Sequence, residues 1–462
     1  MGRLVPKICV IGAGLAGTEV SWQLFKAGLD VTLYEPRFSG NFVDKTHNTD
    51  KCAELVCSNS LRSNQLHNAA GLLKEELRLC GSLLVSLADK NSLPAGSSLA
   101  VSREDFSKDA SDAILSSGIK IIKEEVTDIE VLLNDYDVVI VASGPHTSST
   151  LSDSIQRMIG EDSFYFYDAI APIVRIDSLD MGICFRASRY SKSSQENSEG
   201  DYINSPLDKK EYYDFVELLK NGEKVSVSKG DEGVFFSGCM PIEVMSEGAP
   251  DSLRFGPMRG DGLIDTRTDK RFFAVVQFRQ DGFFGDLYNM VGFQTRLTYP
   301  EQKRIFSTLP GLKNVEFERL GSMHRNTYIN SPLALNKDMS LKKNNRIFIA
   351  GQISGVEGYI ESIAQAMVVT RAVLDRFSIK GEKSLCEFGD FESKTAISAL
   401  ANYIINADSK NFQPMKINFG IFEPLSEEER QKYCVSNKRS ERRLGFSKRA
   451  IDLMNKYFDK NN

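Results

Sequence analysis

Residues 7–35, KICVIGAGLAGTEVSWQLFKAGLDVTLYE, constrain the fold more than any other stretch of this chain. Ile8, Val10 and Ile11 make a short buried strand, and Val20, Leu24 and Leu29 have helical spacing. Val31 and Leu33 begin a second strand. The turn between the first strand and the helix carries Gly12, Gly14 and Gly17 in G-x-G-x-x-G spacing. The first glycine allows the tight turn, the second lets backbone approach a pyrophosphate, and the third permits close helix–strand packing. The helix N-terminus attracts phosphate charge. Glu35 ends the second strand, where a carboxylate accepts a ribose hydroxyl. The unit therefore predicts a βαβ dinucleotide site built from Gly12, Ala13, Gly14, Leu15, Ala16, Gly17 and Glu35.

The rest of the chain indicates which dinucleotide. A second apolar run, DYDVVIVASGP, and a late strand–turn–helix, NNRIFIAGQISGVEGYIESIAQAMVVTRAVL, place nucleotide-binding strands at both ends. Between them the texture changes to short β-like runs such as RFFAVVQFRQ, separated by turn clusters such as SKSSQENSEGD. A sheet interrupted by a large insertion and completed near Gly351 favours FAD over NAD, and it adds Gly351 and Gln352 to the candidate cofactor residues. The expected fold class is α/β: a Rossmann-type FAD-binding domain, glutathione-reductase-like, with an inserted second α/β domain. The expected divisions are 1–150 and 327–435 for the FAD-binding domain, 151–326 for the insertion and 436–462 for a basic C-terminal tail. That tail holds eight Lys or Arg against three acids, in a chain of formal net charge −5. The balance excludes a uniformly basic nucleic-acid coat and leaves room for a local patch. No stretch approaches the roughly 20 apolar residues of a membrane span.

Eight scattered cysteines do not form a disulfide framework, and no Cys or His pairs recur at zinc-ligand spacing, so no metal is expected. Cys52 and Cys57 stand five residues apart, as in flavin-dependent disulfide reductases. Against that reading, GDGLID at 260–265 lacks the third glycine of a second nucleotide turn. No histidine follows His324 to serve as those enzymes' base. What remains is one useful thiol and an incidental one, or two buried bystanders.

At AELVCSNSLRSN a resemblance emerges, carried also by GAGLAG, LPAGSSLAVSREDFS, GEDSFYFYDAIAPIV, FFSGCMPIEVM, FGPM, LYNMVGFQT, MHRNTYINSP, AGQISGVEGYIES and NFQPM. The sequence resembles the TrmFO family, relatives of the larger GidA (MnmG) flavoproteins, in order over nearly its whole length. The resemblance implies a cytoplasmic methylenetetrahydrofolate–tRNA-(uracil-5-)-methyltransferase acting on uridine 54 of the tRNA T-loop. It takes its one-carbon unit from 5,10-methylenetetrahydrofolate and its electrons from reduced FAD, which NADH or NADPH regenerates. A ribosomal RNA uridine is the alternative substrate. A flavin oxidoreductase without RNA substrate, or a GidA-like protein working through a partner complex, is the rival class. The resemblance ties Cys57 and Cys239 to catalysis. Here Cys52 stands where the family commonly has Phe, Asn204-Ser205-Pro206 replaces Asn-Cys-Pro, and Lys416-Ile417 replaces Asn-Ala.

Two thiols suit the chemistry. A thiolate adding to C-6 of uracil makes C-5 nucleophilic towards a methylene carbon. A base then removes the C-5 proton as the folate nitrogen leaves, which gives an exocyclic methylene, and a hydride completes the methyl group as the thiol departs from C-6. The resemblance assigns Cys239 as nucleophile and Cys57, beside the flavin, as base; both are expected near a helix terminus or a cation. Anionic folate and RNA call for basic contacts, for which Arg62, Lys74, Arg78, Arg296, His324 and Arg325 are candidates, with Lys438, Arg439, Arg442 and Arg443 of the tail for RNA backbone. Tyr288, Phe293, Phe283 and Phe284 are candidate stacking surfaces or core.

Overall fold

The computed structural model describes residues 5–40, 47–160, 164–189, 200–225, 240–265, 267–281, 285–379, 392–410, 412–436 and 438–461. Strand β1 (Lys7–Ile11), helix α1 (Leu15–Lys26) and strand β2 (Asp30–Tyr34) form the expected unit. Five parallel strands lie in the order Ile347–Ile349, Val138–Val141, β1, β2, Lys120–Ile122. All four residues of Val138–Val141 and all three of Ile347–Ile349 are buried, as parallel strands covered on both faces require. A strand from the far end of the sequence thus completes the sheet, and the helix Tyr359–Arg376 behind it packs on α1. The turn closes tightly: a Cβ on Gly17 would sit 1.7 Å from the Gly12 carbonyl oxygen, and Gly12 adopts φ +98°.

The chain leaves and re-enters this body on an antiparallel ribbon, Phe164–Ile170 paired with Ser322–Tyr328. Helix Ser149–Ile159 still packs Leu151 and Ile155 into the first core, whereas the second core runs from Val174 to Leu312. The inserted region is built on a six-stranded sheet whose pairings are all antiparallel. Helices Lys209–Asn221 and Tyr299–Phe306 cover it with Tyr212, Phe215 and Phe306. In strand Ala274–Gln280, residues Ala274, Val276 and Phe278 enter this core. The two-residue period of a strand therefore turns Gln277 and Arg279 to the opposite face. Tyr288 and Phe293 also lie in the second core, at 1% and 0% exposure, and serve packing rather than stacking on a ligand. Phe283 and Phe284 lie outside the described residues.

The basic tail is an ordered helix, Arg439–Asn461. Ala450 and Met454 enter the first core, and the Ser447 hydroxyl donates to the Leu66 carbonyl. Arg449, 1% exposed, donates to Glu429 (3.1 Å) and the Glu423 carbonyl (2.8 Å). A buried guanidinium needs such partners because desolvation alone disfavours it. Removing 436–462 would therefore open the core as well as remove charge.

Glu76, fully buried, accepts the N–H groups of Ala396 (2.6 Å) and Ile397 (2.9 Å), joining an early helix to the start of Ala396–Asn406. Burial pushes its carboxyl up to about 8 despite these bonds. Between an unfolded value of about 4.3 and this folded one, the unfolded chain releases a proton that the native protein keeps, so stability falls as pH rises. Glu76→Gln should flatten this decline in Tm across that window; an unchanged pH slope would refute the assignment.

Candidate active site

A cleft opens at the C-terminal ends of the parallel strands, where open α/β sheets bind ligands. Gly12, Gly14, Leu15, Ala16, Glu35 and Gln352 line it, and it encloses about 1120 Å³ including its mouth. The first-turn N–H groups of α1 have no intrahelical acceptors, and its N-cap, Gly14, offers no side-chain oxygen. A Cβ on Gly14 would meet nothing within 4 Å. A bare helix end facing open space fits a pyrophosphate, and the residues present fit a bound dinucleotide.

Glu35 occupies the expected place in a fuller network than anticipated. Its Oε2 accepts the Ala13 N–H (2.8 Å) and Arg37 Nη2 (3.0 Å), and its Oε1 accepts Arg37 Nε (2.9 Å) and the Arg37 N–H (3.1 Å). Four donors use the acceptor capacity of one carboxylate. Arg37 also donates to the Lys51 carbonyl (3.2 Å), so Glu35 holds the turn to the following segment. Burial works against its charge, but the Arg37 guanidinium prevails and holds the carboxyl below its usual range. Gly351 has φ +77° and presses on Ala16, where a Cβ would lie 2.6 Å from the alanine methyl. The turn Gly351–Ser354 is a 3₁₀ helix, and the α-helix behind it starts only at Tyr359.

Cys52 and Cys57 are both free thiols. Cys52 is fully buried, and desolvation pushes its thiol up to about 11, so it is a core residue of low reactivity. Cys57 is half-buried, next to the cleft-lining Val56, and its N–H donates to the Tyr359 hydroxyl (2.8 Å), as does that of Ser58 (3.0 Å). Three arginines strap the same loop. Arg103 donates to the Leu55 carbonyl (2.7 Å) and forks onto Asp281. Arg279 donates to Asn59 (3.0 Å) and Ser58 (2.6 Å), and Arg319 to the Val56 carbonyl (3.0 Å). Arg279 and Arg319 form no ion pair with a carboxylate among the described residues, and burial lowers both guanidinium pKa values. The loop thus joins the first domain, the inserted sheet and the helix that begins at Tyr359, with positive charge on its flank.

The remaining candidates divide. Arg62, at φ +64°, pairs with buried Glu361, which also accepts the Ile417 N–H (2.9 Å). Lys74 is fully buried, and its ammonium donates to the Leu61, Ser63 and Ala70 carbonyls. It is a structural strut, unavailable to ligand, because three carbonyls take its donors, and burial pulls its ammonium down to about 7. Arg78 is held by Asp89 and Glu75, and Arg296 lies 3.8 Å from Glu243. His324 and Arg325 sit on the ribbon opposite Asp168 and Tyr167. Lys438 is exposed and Arg439 begins the last helix. Cys239 lies outside the described residues. Ser205, in place of the family's cysteine, donates to the Pro310 carbonyl (2.6 Å). Sequence reading missed Arg37, Arg103, Arg279, Arg319 and Tyr359. Only Arg37, two residues after Glu35, carried a local signal.

Fold and cleft define a Rossmann-type dinucleotide-binding protein with an inserted domain and a cysteine loop beside the cleft. The family described as Glucose inhibited division protein A (GIDA) matches residues 7–380. A relative from Acetivibrio thermocellus named methylenetetrahydrofolate–tRNA-(uracil-5-)-methyltransferase TrmFO is 45% identical over 464 residues, covering 99% of this chain and 100% of that protein. The same-named protein of Listeria monocytogenes is 46% identical over 446 residues, covering 96% and 98%. The solved structure of Aquifex aeolicus GidA, form II crystal, superposes with a TM-score of 0.66 at 15% identity, over 98% of this chain and 74% of that one, a likeness of fold. The chain belongs to the GidA family and, within it, to the TrmFO group.

Proposed function

We propose that this protein is a methylenetetrahydrofolate–tRNA-(uracil-5-)-methyltransferase that forms 5-methyluridine at position 54 of the tRNA T-loop. The names of full-length relatives at 45–46% identity support this activity. The observation that carries the site assignment is the position of Cys57, beside the cleft and tied to its Tyr359 wall. Bound FAD, reduced by NADH or NADPH, supplies the hydride that completes the methyl group, and 5,10-methylenetetrahydrofolate supplies the carbon.

The chain's own residues bind, orient and move protons. The N–H groups at the start of α1 take the pyrophosphate, and the Glu35–Arg37 pair keeps the turn closed around it. Cys239 adds to C-6 of the uracil, and the Cys57 thiolate removes the C-5 proton. Tyr359 fixes the height of the Cys57 loop by accepting two successive N–H groups. The guanidiniums of Arg279 and Arg319 give that loop a positive flank suited to anionic substrates.

With RNA containing 5-fluorouridine, wild type and Cys57→Ala should form a covalent adduct and Cys239→Ala should not. An adduct lost in Cys57→Ala and kept in Cys239→Ala reverses the two roles. Mass spectrometry of nucleosides from tRNA and ribosomal RNA of a deletion strain tests the substrate: 5-methyluridine should disappear from tRNA alone.

A further inference from the structure

Away from the cleft, a surface groove runs between the turn Phe419–Ile421 and the last two helices, lined by Phe419, Leu425, Arg430, Arg442, Arg443 and Phe446. Its guanidiniums differ from most at the surface of this molecule. Arg78, Arg157, Arg175, Arg259 and Arg304 all reach a carboxylate. Arg430, Arg442 and Arg443 form no ion pair or side-chain hydrogen bond among the described residues, and Arg430 and Arg442 are exposed. Three acids are close in sequence, Glu427, Glu428 and Glu441, yet none pairs with them; Glu429 is taken by Arg449. Beside this unneutralised charge stand two half-buried rings, Phe419 and Phe446, stacked 5.4 Å apart at 20°.

The groove is also joined to the active site by a short backbone path. Met415 donates its N–H to the Gly355 carbonyl, Lys416 pairs with Glu357 (2.7 Å), and the Ile417 N–H meets Glu361, the partner of Arg62. Phe419 follows two residues later, at most about 7 Å of extended chain from Ile417. Glu361 in turn lies in the first turn of the helix that begins with Tyr359, the residue holding the Cys57 loop. Guanidinium forks recognise phosphate oxygens, and an aromatic face takes a base of any identity.

We propose that this groove is a second RNA-binding site, taking an unpaired segment of the substrate with its phosphates on Arg430, Arg442 and Arg443 and a base against Phe419. The proposal rests on the RNA-methylating reading above and adds where the polynucleotide is held outside the reacting uridine. The groove contributes affinity, and the chemistry remains at the cleft.

The test uses the full-length, FAD-loaded enzyme and an unmodified tRNA transcript, with binding followed by fluorescence anisotropy between about 50 and 200 mM salt. The triple variant Arg430→Gln, Arg442→Gln, Arg443→Gln should raise Kd and lower the slope of log K against log salt by about 2, at ~0.7 per single-strand phosphate contact. Its flavin absorbance should stay as in wild type. Arg442→Gln alone, at an exposed position, should lower the slope by about 0.7 and guards against misfolding of the triple variant. Phe419→Leu keeps an apolar side chain while removing the ring and should weaken binding roughly ten-fold with no change of slope. Unchanged Kd and slope in both arginine variants overturn the proposal. Displacement of RNA by polyglutamate as readily as by an RNA oligonucleotide of equal charge also overturns it, in favour of an acidic protein segment. Wild-type enzyme that shows the slope difference but makes no 5-methyluridine leaves the groove standing and sinks the reading of the reaction.

Discussion

Replacing Cys57 by alanine is expected to cut 5-methyluridine formation by roughly 10²–10⁴-fold, the range a positioned general base contributes. The protein should still fold and bind flavin. The thiol is half-buried at the edge of the cleft, and the bonds that hold its loop run through backbone: the Cys57 and Ser58 N–H groups to Tyr359, and the Val56 carbonyl from Arg319. Alanine preserves all of them. Quantitative nucleoside analysis of a transcript after single-turnover reaction, alongside the flavin absorption spectrum, measures the effect. Activity within ten-fold of wild type would remove Cys57 from the catalytic set. Cys52→Ala is the matched control: it perturbs packing in the core and should leave turnover intact.

Glu35→Ala should have the largest effect on stability. Removing the carboxylate leaves the Arg37 guanidinium, 6% exposed, without its main partner and leaves the Ala13 N–H without an acceptor. Breaking a buried pair from one side costs about 3–5 kcal/mol, and the turn that cradles the nucleotide loosens with it. Purified variant should be colourless and melt well below wild type. The pH dependence carries a sign. Glu35 titrates below the usual carboxylate range when folded. Its stabilising contribution is therefore fully present above about pH 4.3, the unfolded value, and is lost as pH falls through the folded one. The gap in Tm between wild type and variant should narrow in acid; a gap that is small at neutral pH, or widens in acid, would contradict the geometry.

What could be read from the chain was local or rhythmic. The strand–glycine turn–helix of residues 7–26 is legible because Gly12 and Gly17 meet each other within one turn, so the geometry is written in neighbouring residues. The late strand Ile347–Ile349 was legible as a strand by its apolar run, whereas its place beside Val138–Val141 is a tertiary pairing that the run does not state. The inserted region was legible as β-rich, but not the antiparallel order of its six strands, since apolar runs do not state a pairing direction.

The spacing of Cys52 and Cys57 is silent about the active site. Cys52 and Cys57 stand five residues apart in sequence, yet Cys52 is core, with Ala53 and Leu55, and Cys57 stands half-buried at the cleft. Lys74, a candidate ligand contact, and Arg449, in the basic tail, are buried struts.

The sequence alone determined the nucleotide turn, the interrupted sheet, the family and Cys57 as a candidate, all carried by contiguous motifs. Tertiary structure alone decided what surrounds that cysteine. Arg103, Arg279, Arg319 and Tyr359 come from an early helix, two inserted strands and a late helix, and they converge only once two cores have formed. Contacts between residues hundreds of positions apart depend on how faces pack, and no local propensity encodes that.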